Sequence, residues 1–182
     1  MDLVTLFEQD PELMRIFRII AELGLKDSWL AAGTLRNYVW NTLSNRKGLE
    51  NASDLDVIFY DPTVTYEQTL ALQEDLNHRY PDYKWEVKNQ VYMHSHSPNT
   101  SSYLSSCDAV SKYPERCTAI AARLNAQGHL DLFLPYGSDD IEEFIVEATP
   151  HFAADKDRMS VYRERQAKKN WSKIWTQLDV RY

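Results

Sequence analysis

Asp54-Leu55-Asp56 sets two carboxylates at i and i+2 at the start of a run, Leu55-Asp56-Val57-Ile58-Phe59-Tyr60, whose branched and aromatic content reads as a strand. Strand side chains alternate, so both acids project from one face and can share a divalent cation. Hard Mg²⁺ prefers such oxygens and keeps positions open for water and phosphate, which suits phosphoryl or nucleotidyl transfer. Upstream, Ala31-Ala32-Gly33-Thr34-Leu35-Arg36-Asn37 places a glycine and a hydroxyl residue at the start of a helix. Free backbone N–H groups and the helix dipole attract phosphate there. Arg36, one turn in, offers the same anion a charge-assisted fork. Taken singly, each feature has an ordinary explanation: a solvated acid pair near a strand end, and a tight turn with Arg36 on an exposed helix face.

The elements that must position these residues follow from periodicity and punctuation. Asp10-Pro11-Glu12 supplies an N-cap, a first-position proline and an early acid, and the stripe Leu13, Ile16, Phe17, Ile20 and Leu23 runs to Gly24, predicting an amphipathic helix. Residues 28–32 read as a strand, Gly33 as a turn, and Leu35, Tyr38, Val39 and Leu43 as the buried face of a helix. Asp61-Pro62 halts the strand that carries the acid pair. A helix over 66–78, a strand over 83–91 and a mobile serine-rich loop over 95–106 follow. Residues 118–124 and 129–134 flank Asn125-Ala126-Gln127-Gly128 and predict a hairpin. A short helix opens at Asp139 with a capping-box pattern, and 159–178 form the last helix. The sum is an α+β fold, a small mixed sheet of four or five strands packed with α-helices.

The glycine turn, the helix after it and the flanked Asp-x-Asp resemble the nucleotidyltransferase superfamily of polymerase beta type, in particular the head domain of CCA-adding enzymes and bacterial poly(A) polymerases. Thr34, where that pattern has glycine or serine, and Asn37, where it has aspartate, depart from it. Nearly the whole chain is similar to a bacterial nucleotidyltransferase-like family of unknown function. Trp40, Trp85-Glu86-Val87-Lys88-Asn89-Gln90, Pro135-Tyr136-Gly137-Ser138-Asp139-Asp140 and Tyr162-Arg163-Glu164-Arg165 carry that similarity. The resemblance implies the nucleotidyltransferase fold and two Mg²⁺ ions held by Asp54, Asp56 and a third carboxylate. Glu86 is the expected third acid, because the strand after the crossover helix can pair beside the Asp54 strand; Asp131 is the reserve. It also implies that Gly33, Thr34, Arg36, Asn37 and Lys88 bind the nucleoside triphosphate, ATP among them.

Composition narrows the partners. The chain has 182 residues, 43% of them hydrophobic, with 20 Lys and Arg against 27 Asp and Glu for a net charge of −7. That length suits one nucleotidyltransferase-like domain over 1–182, with residues 151–182 as a C-terminal helical extension. The acidic balance disfavours polyanions, so a small-molecule or protein hydroxyl acceptor is favoured over RNA. The absence of a long helical extension after the head points the same way. No apolar run approaches a membrane span and the start lacks a signal-peptide pattern, which predicts a cytoplasmic protein. Residues 151–182 carry 8 Lys and Arg against 4 Asp and Glu. Lys168, Lys169 and Lys173 read as a solvated helix face whose alternative is triphosphate neutralisation, and Trp171 and Trp175 read as packing. Cys107 and Cys117 lack metal or disulfide spacing. His94-x-His96 with His129 or His151 is a weak zinc pattern. The competing class is a non-catalytic nucleotide- or protein-binding module on the same fold.

Overall fold

The computed structural model describes residues 1–52 and 54–182. Helices α1 (Leu3–Glu8) and α2 (Pro11–Glu22) open the chain, each capped by the aspartate before it. Asp2 accepts from the Thr5 amide, and Asp10 from those of Glu12 and Leu13. Strand β1 (Trp29–Ala31) runs into α3 (Gly33–Leu43), and β2 (Asp54–Phe59) follows. Next come α4 (Tyr66–Arg79), whose capping box joins Thr65 and Gln68, then β3 (Lys84–Asn89) and α5 (Ser106–Ser111). The predicted hairpin is β4 (Ala121–Leu124) and β5 (Leu130–Phe133). The chain closes with α6 (Asp139–Glu142), β6 (Ile145–Val146), α7 (Pro150–Ala153), the longer α8 (Lys156–Lys168), α9 (Trp171–Ile174) and β7 (Asp179–Val180). The architecture is the expected α+β arrangement, a mixed five-stranded sheet ordered β3-β2-β1-β4-β5 with β6 and β7 paired apart from it.

The α4 crossover makes β2 and β3 parallel, while β1 pairs antiparallel with β2 and β4. Alternation then sorts the side chains of β2. Leu55, Val57 and Phe59 enter the large core built with α2, α3 and Trp85, while Ile58 joins a second cluster with Trp29, Ala31 and Ala121 on the other face. The acids share that second face. Strand β3 lies at the sheet edge, and α4 covers its free backbone groups: Asn77 accepts from the Trp85 amide at 2.8 Å and Gln73 from that of Val87 at 2.9 Å.

The last helix departs from its predicted span of 159–178. Helix α8 stops at Lys168, the backbone turns extended at Lys169, and α9 redirects the chain. Burial of two indoles decides this. Trp171 and Trp175 sit 5.9 and 5.0 Å from the buried Trp40 ring, and Trp175 donates to Asn41 Oδ1 at 3.0 Å. The 95–106 segment is the expected loop, though a 3₁₀ run, Gln90–His96, reaches into its start. Two of its carbonyls are held from elsewhere: Arg158 Nε donates to Pro98 O at 2.9 Å and Tyr60 to Tyr103 O at 2.9 Å. Helix α1 was not anticipated; six residues are too few to show a clear apolar period.

Candidate active site

Register fixes the neighbours of the acid pair. Asp56 lies opposite Glu86 on β3 and opposite Ala31 on β1, and Asp54 lies opposite Lys84. Two carboxylates therefore meet side by side on adjacent strands. Burial and then the Glu86 carboxylate push the Asp56 carboxyl up to about 7, with Lys88 opposing. Lys84 Nζ stands 3.5 Å from Asp54 Oδ1 and 3.9 Å from Glu86 Oε1, and Lys88 Nζ is 3.7 Å from Glu86 Oε2. Asp131 stands elsewhere, bound to Arg123 at 3.3 Å and Asn125 at 3.1 Å on the hairpin.

Asp56 sits where two clefts meet. The first, about 300 Å³, is lined by Gly33, Thr34, Arg36, Asn37, Asp54 and Asp56, with Lys169 and Trp171 from the C-terminal segment. The amides of Gly33 and Thr34 have no acceptor among the described residues, as expected at a helix start. The Ala32 amide donates to Ile120 O at 2.8 Å and its carbonyl accepts from the amides of Leu35 and Arg36. Ala32 itself has φ 63° and ψ −124°, so the position requiring glycine-like backbone freedom is Ala32 and not Thr34. The Thr34 hydroxyl donates to Asp54 O at 3.1 Å, which ties the turn to the acid strand.

Arg36 is not on an exposed face; it is only 4% exposed. Its Nε donates to Asn37 Oδ1 at 3.0 Å and its Nη1 to Thr118 Oγ1 at 2.8 Å, while the guanidinium lies 4.1 Å from the Trp171 ring and 4.9 Å from Trp40. Burial lowers its pKa from the ordinary value, and Glu115 and Asp56 act to hold the charge. Both N–H groups of Nη2, which lies 3.4 Å from where a Gly33 Cβ would stand, and the second N–H of Nη1 make no hydrogen bond among the described residues. Thr118 passes the connection to Glu115, which is fully buried and paired with Arg165 at 2.7 Å.

The second cleft, about 450 Å³, carries Asp56, Glu86, Lys88, Tyr113 and Arg165 on its walls. Trp171, Tyr113 and Arg165 therefore line the clefts although pattern reading gave them no such place, and Lys169 lines one where its triphosphate alternative would put it. The basic tail was the signal for Lys169 and Arg165; Tyr113 left none. Burial, then Arg165 and Arg36, lower the Lys169 pKa, while Glu115 and Asp56 raise it. The histidines do not gather: His129 faces Glu8 at 3.6 Å and His151 contacts Thr100 at 2.9 Å. Burial pushes the Cys117 thiol up to about 12, so it packs as a neutral group.

A divalent cation fits the donor chemistry of Asp54, Asp56 and Glu86, three hard carboxylates on two adjacent strands. Among the described residues no three His, Cys, Asp or Glu side chains converge on one point, and Lys84 and Lys88 neutralise the acids.

A nucleotidyltransferase family model matches residues 18–180. The chain belongs to that nucleotidyltransferase family. It is also 51% identical to a protein whose NMR structure reveals a CCA-adding enzyme head domain, with a TM-score of 0.93 over 98% of this chain and 94% of the other. A CCA-adding enzyme in apo form aligns at 14% identity and TM-score 0.57, and one in complex with ATP at 15% and 0.56; both cover 100% of this chain and show the fold alone. The chain spans 43% of the length of each. No curated protein matches the chain. No helix among the described residues is long and apolar enough to cross a membrane.

Proposed function

We propose that this protein is a Mg²⁺-dependent enzyme that transfers a nucleoside monophosphate from a nucleoside triphosphate, ATP among them, to the hydroxyl of a small-molecule or protein acceptor. The observation that carries the reading is the place of Asp56, where the cleft of the free Gly33 and Thr34 amides meets a second cleft large enough for another reactant. The amides and Arg36 Nη2 receive the triphosphate at the helix N-terminus. Lys169 adds a cation at the same wall, and Arg36, clamped by Thr118 and the indoles, fixes the floor. Asp54, Asp56 and Glu86 would hold the metal, whose chemistry is to polarise the phosphate oxygens and neutralise the leaving pyrophosphate. Glu86 stands where it can take the acceptor's proton, and Lys88 steadies its charge.

One observation favours the non-catalytic binding module: Lys84 stands among the acids where a cation would, so the site is neutralised without metal. Binding of a non-hydrolysable ATP analogue with and without Mg²⁺, beside pyrophosphate release from ATP, separates the two. Expected are Mg²⁺-dependent binding, slow pyrophosphate release, and loss of both in Asp54→Asn and Asp56→Asn with melting temperatures not lowered. Wild-type binding in either variant overturns the metal-site assignment, and metal-independent binding without release selects the module.

A further inference from the structure

The 450 Å³ cleft has a chemistry of its own. Tyr113 is the first indication. It lines the cleft together with Asp56; burial, and then that carboxylate, raise the pKa of its phenol, and its hydroxyl makes no hydrogen bond among the described residues. A donor without an internal partner at a cavity wall is available to a ligand. The walls are the second. Met93, Tyr103, Phe152 and Val161 face the same space as Tyr113, which suits a flat apolar body. The third is charge. Arg165 binds Glu115 through Nε and Nη2 and leaves Nη1 unused, and Lys112, paired with Asp108 at 3.0 Å, lies on the same lining.

We propose that this cleft is the acceptor site, and that the acceptor is a small planar molecule bearing an anionic group held by Arg165 and Lys112 and a hydroxyl presented to Asp56 and Glu86. The inference rests on the nucleotidyl-transfer reading and names its substrate class. In the step, the acceptor oxygen bonds to the α-phosphorus, the bond to the bridging oxygen breaks with its electron pair leaving on pyrophosphate, and the hydroxyl proton passes to Glu86. Tyr113 stays protonated and donates to the ligand, fixing which way the hydroxyl points.

The test is a backbone-amide NMR titration of the full chain with 4-hydroxybenzoate, the neutral 4-hydroxybenzamide, and separately the α,β-methylene analogue of ATP with Mg²⁺. Expected is 4-hydroxybenzoate binding that shifts Tyr113, Phe152 and Arg165, with the amide analogue weaker by about fivefold or more. Tyr113→Phe should lose about fivefold in affinity with an unchanged melting temperature, since the hydroxyl has no internal partner to lose. The ATP analogue should shift Gly33 and Thr34. If the analogue fails to bind, the transfer reading fails while the cleft's own affinity is still measured. If it binds but 4-hydroxybenzoate leaves Tyr113 and Phe152 unmoved, or Tyr113→Phe binds like wild type, the acceptor assignment is overturned. Shifts of Tyr113 and Phe152 by the analogue's base would make this the nucleoside pocket, and tighter binding of a short oligoribonucleotide at the same amides would make it a channel for an RNA end; either result also overturns it.

Discussion

Asp56 and Asp131 occupy similar settings in one sheet, each between apolar strand residues, Leu55 and Val57 for one and Leu130 and Leu132 for the other. Their cross-strand neighbours differ. Asp131 faces Arg123, which also lies 4.1 Å over the Trp29 ring, and the pair is two-fifths exposed. Asp56 faces a second acid, Glu86, in a half-buried place. An acid answered by an arginine has its charge settled within the hairpin. An acid set beside another acid destabilises the apo fold and is made useful only by something that brings positive charge. The hairpin anchors; the β2–β3 pair is kept under electrostatic tension.

The largest effect should separate these two positions outright. Asp56→Asn should reduce metal-dependent transfer on the order of 10³-fold or more, whereas Asp131→Asn should leave it within about twofold. Pyrophosphate release at saturating ATP and Mg²⁺ measures both. Equal losses would mean that the hairpin acid also serves the chemistry and that the contrast is false.

The same pair should differ in the sign of its stability change. The Asp56 carboxyl titrates near 7 in the fold against 3.8 as the ordinary value, so between those limits the folded state holds more protons. Stability contributed by the protonated acid is therefore lost as pH rises from about 4 to 7. Asp56→Asn removes that loss and should raise stability at pH 7.5 by about 1–2 kcal/mol, allowing for partial solvent access. Asp131→Asn, which breaks an exposed pair, should lower it by about 0.2–1 kcal/mol. Urea unfolding across pH 4 to 8 would show the wild-type slope vanish in the first variant only; a persistent slope would relocate the titration to another group.

Lys84 sharpens the comparison from the side of charge. Its ammonium, 3.5 Å from Asp54, would compete with a metal ion for that carboxylate. Two unit charges at that distance in a watery setting interact by about 1 kcal/mol. Lys84→Met should then strengthen Mn²⁺ binding roughly fivefold, read by calorimetry without nucleotide. A weakened affinity would show that Lys84 holds Asp54 in its liganding pose rather than competing for it.

Much of this arrangement was legible in the residues. Alternation on β2 put Asp54 and Asp56 on one face, and the crossover-helix argument put Glu86 beside them, since both depend only on local period and chain order. Tertiary burial was not legible. Arg36 stands in the first turn of α3, and the return of Trp171 over it, after α8 breaks at Lys169, joins Trp40 and Thr118 in making it a buried clamp. Tyr113 enters the site through a chain segment with no periodic signature, brought there by the packing of Val110 and Ala119 against β1.

The smallest effect concerns the joint between the anchoring hairpin and the strained pair. Ala32 carries φ 63° in a region that suits glycine, held there by the amide it donates to Ile120 O ahead of β4. Such strain costs on the order of 1–3 kcal/mol. Ala32→Gly would relieve it, against about 0.4–1 kcal/mol of added unfolded-state entropy and about 0.8 kcal/mol for one lost buried methyl. The balance centres on a gain of about 0.5 kcal/mol, a rise of roughly 1–2 °C in melting temperature for a chain of this size. Ala122→Gly, fully buried in the regular strand β4 that pairs with β1, lacks the relief and should cost about 1 kcal/mol or more. Thermal unfolding of the two variants side by side gives opposite signs if the hairpin holds Ala32 against its preference. Matching losses would mean that the turn is comfortable as built, and that the tension beside Asp56 is electrostatic alone.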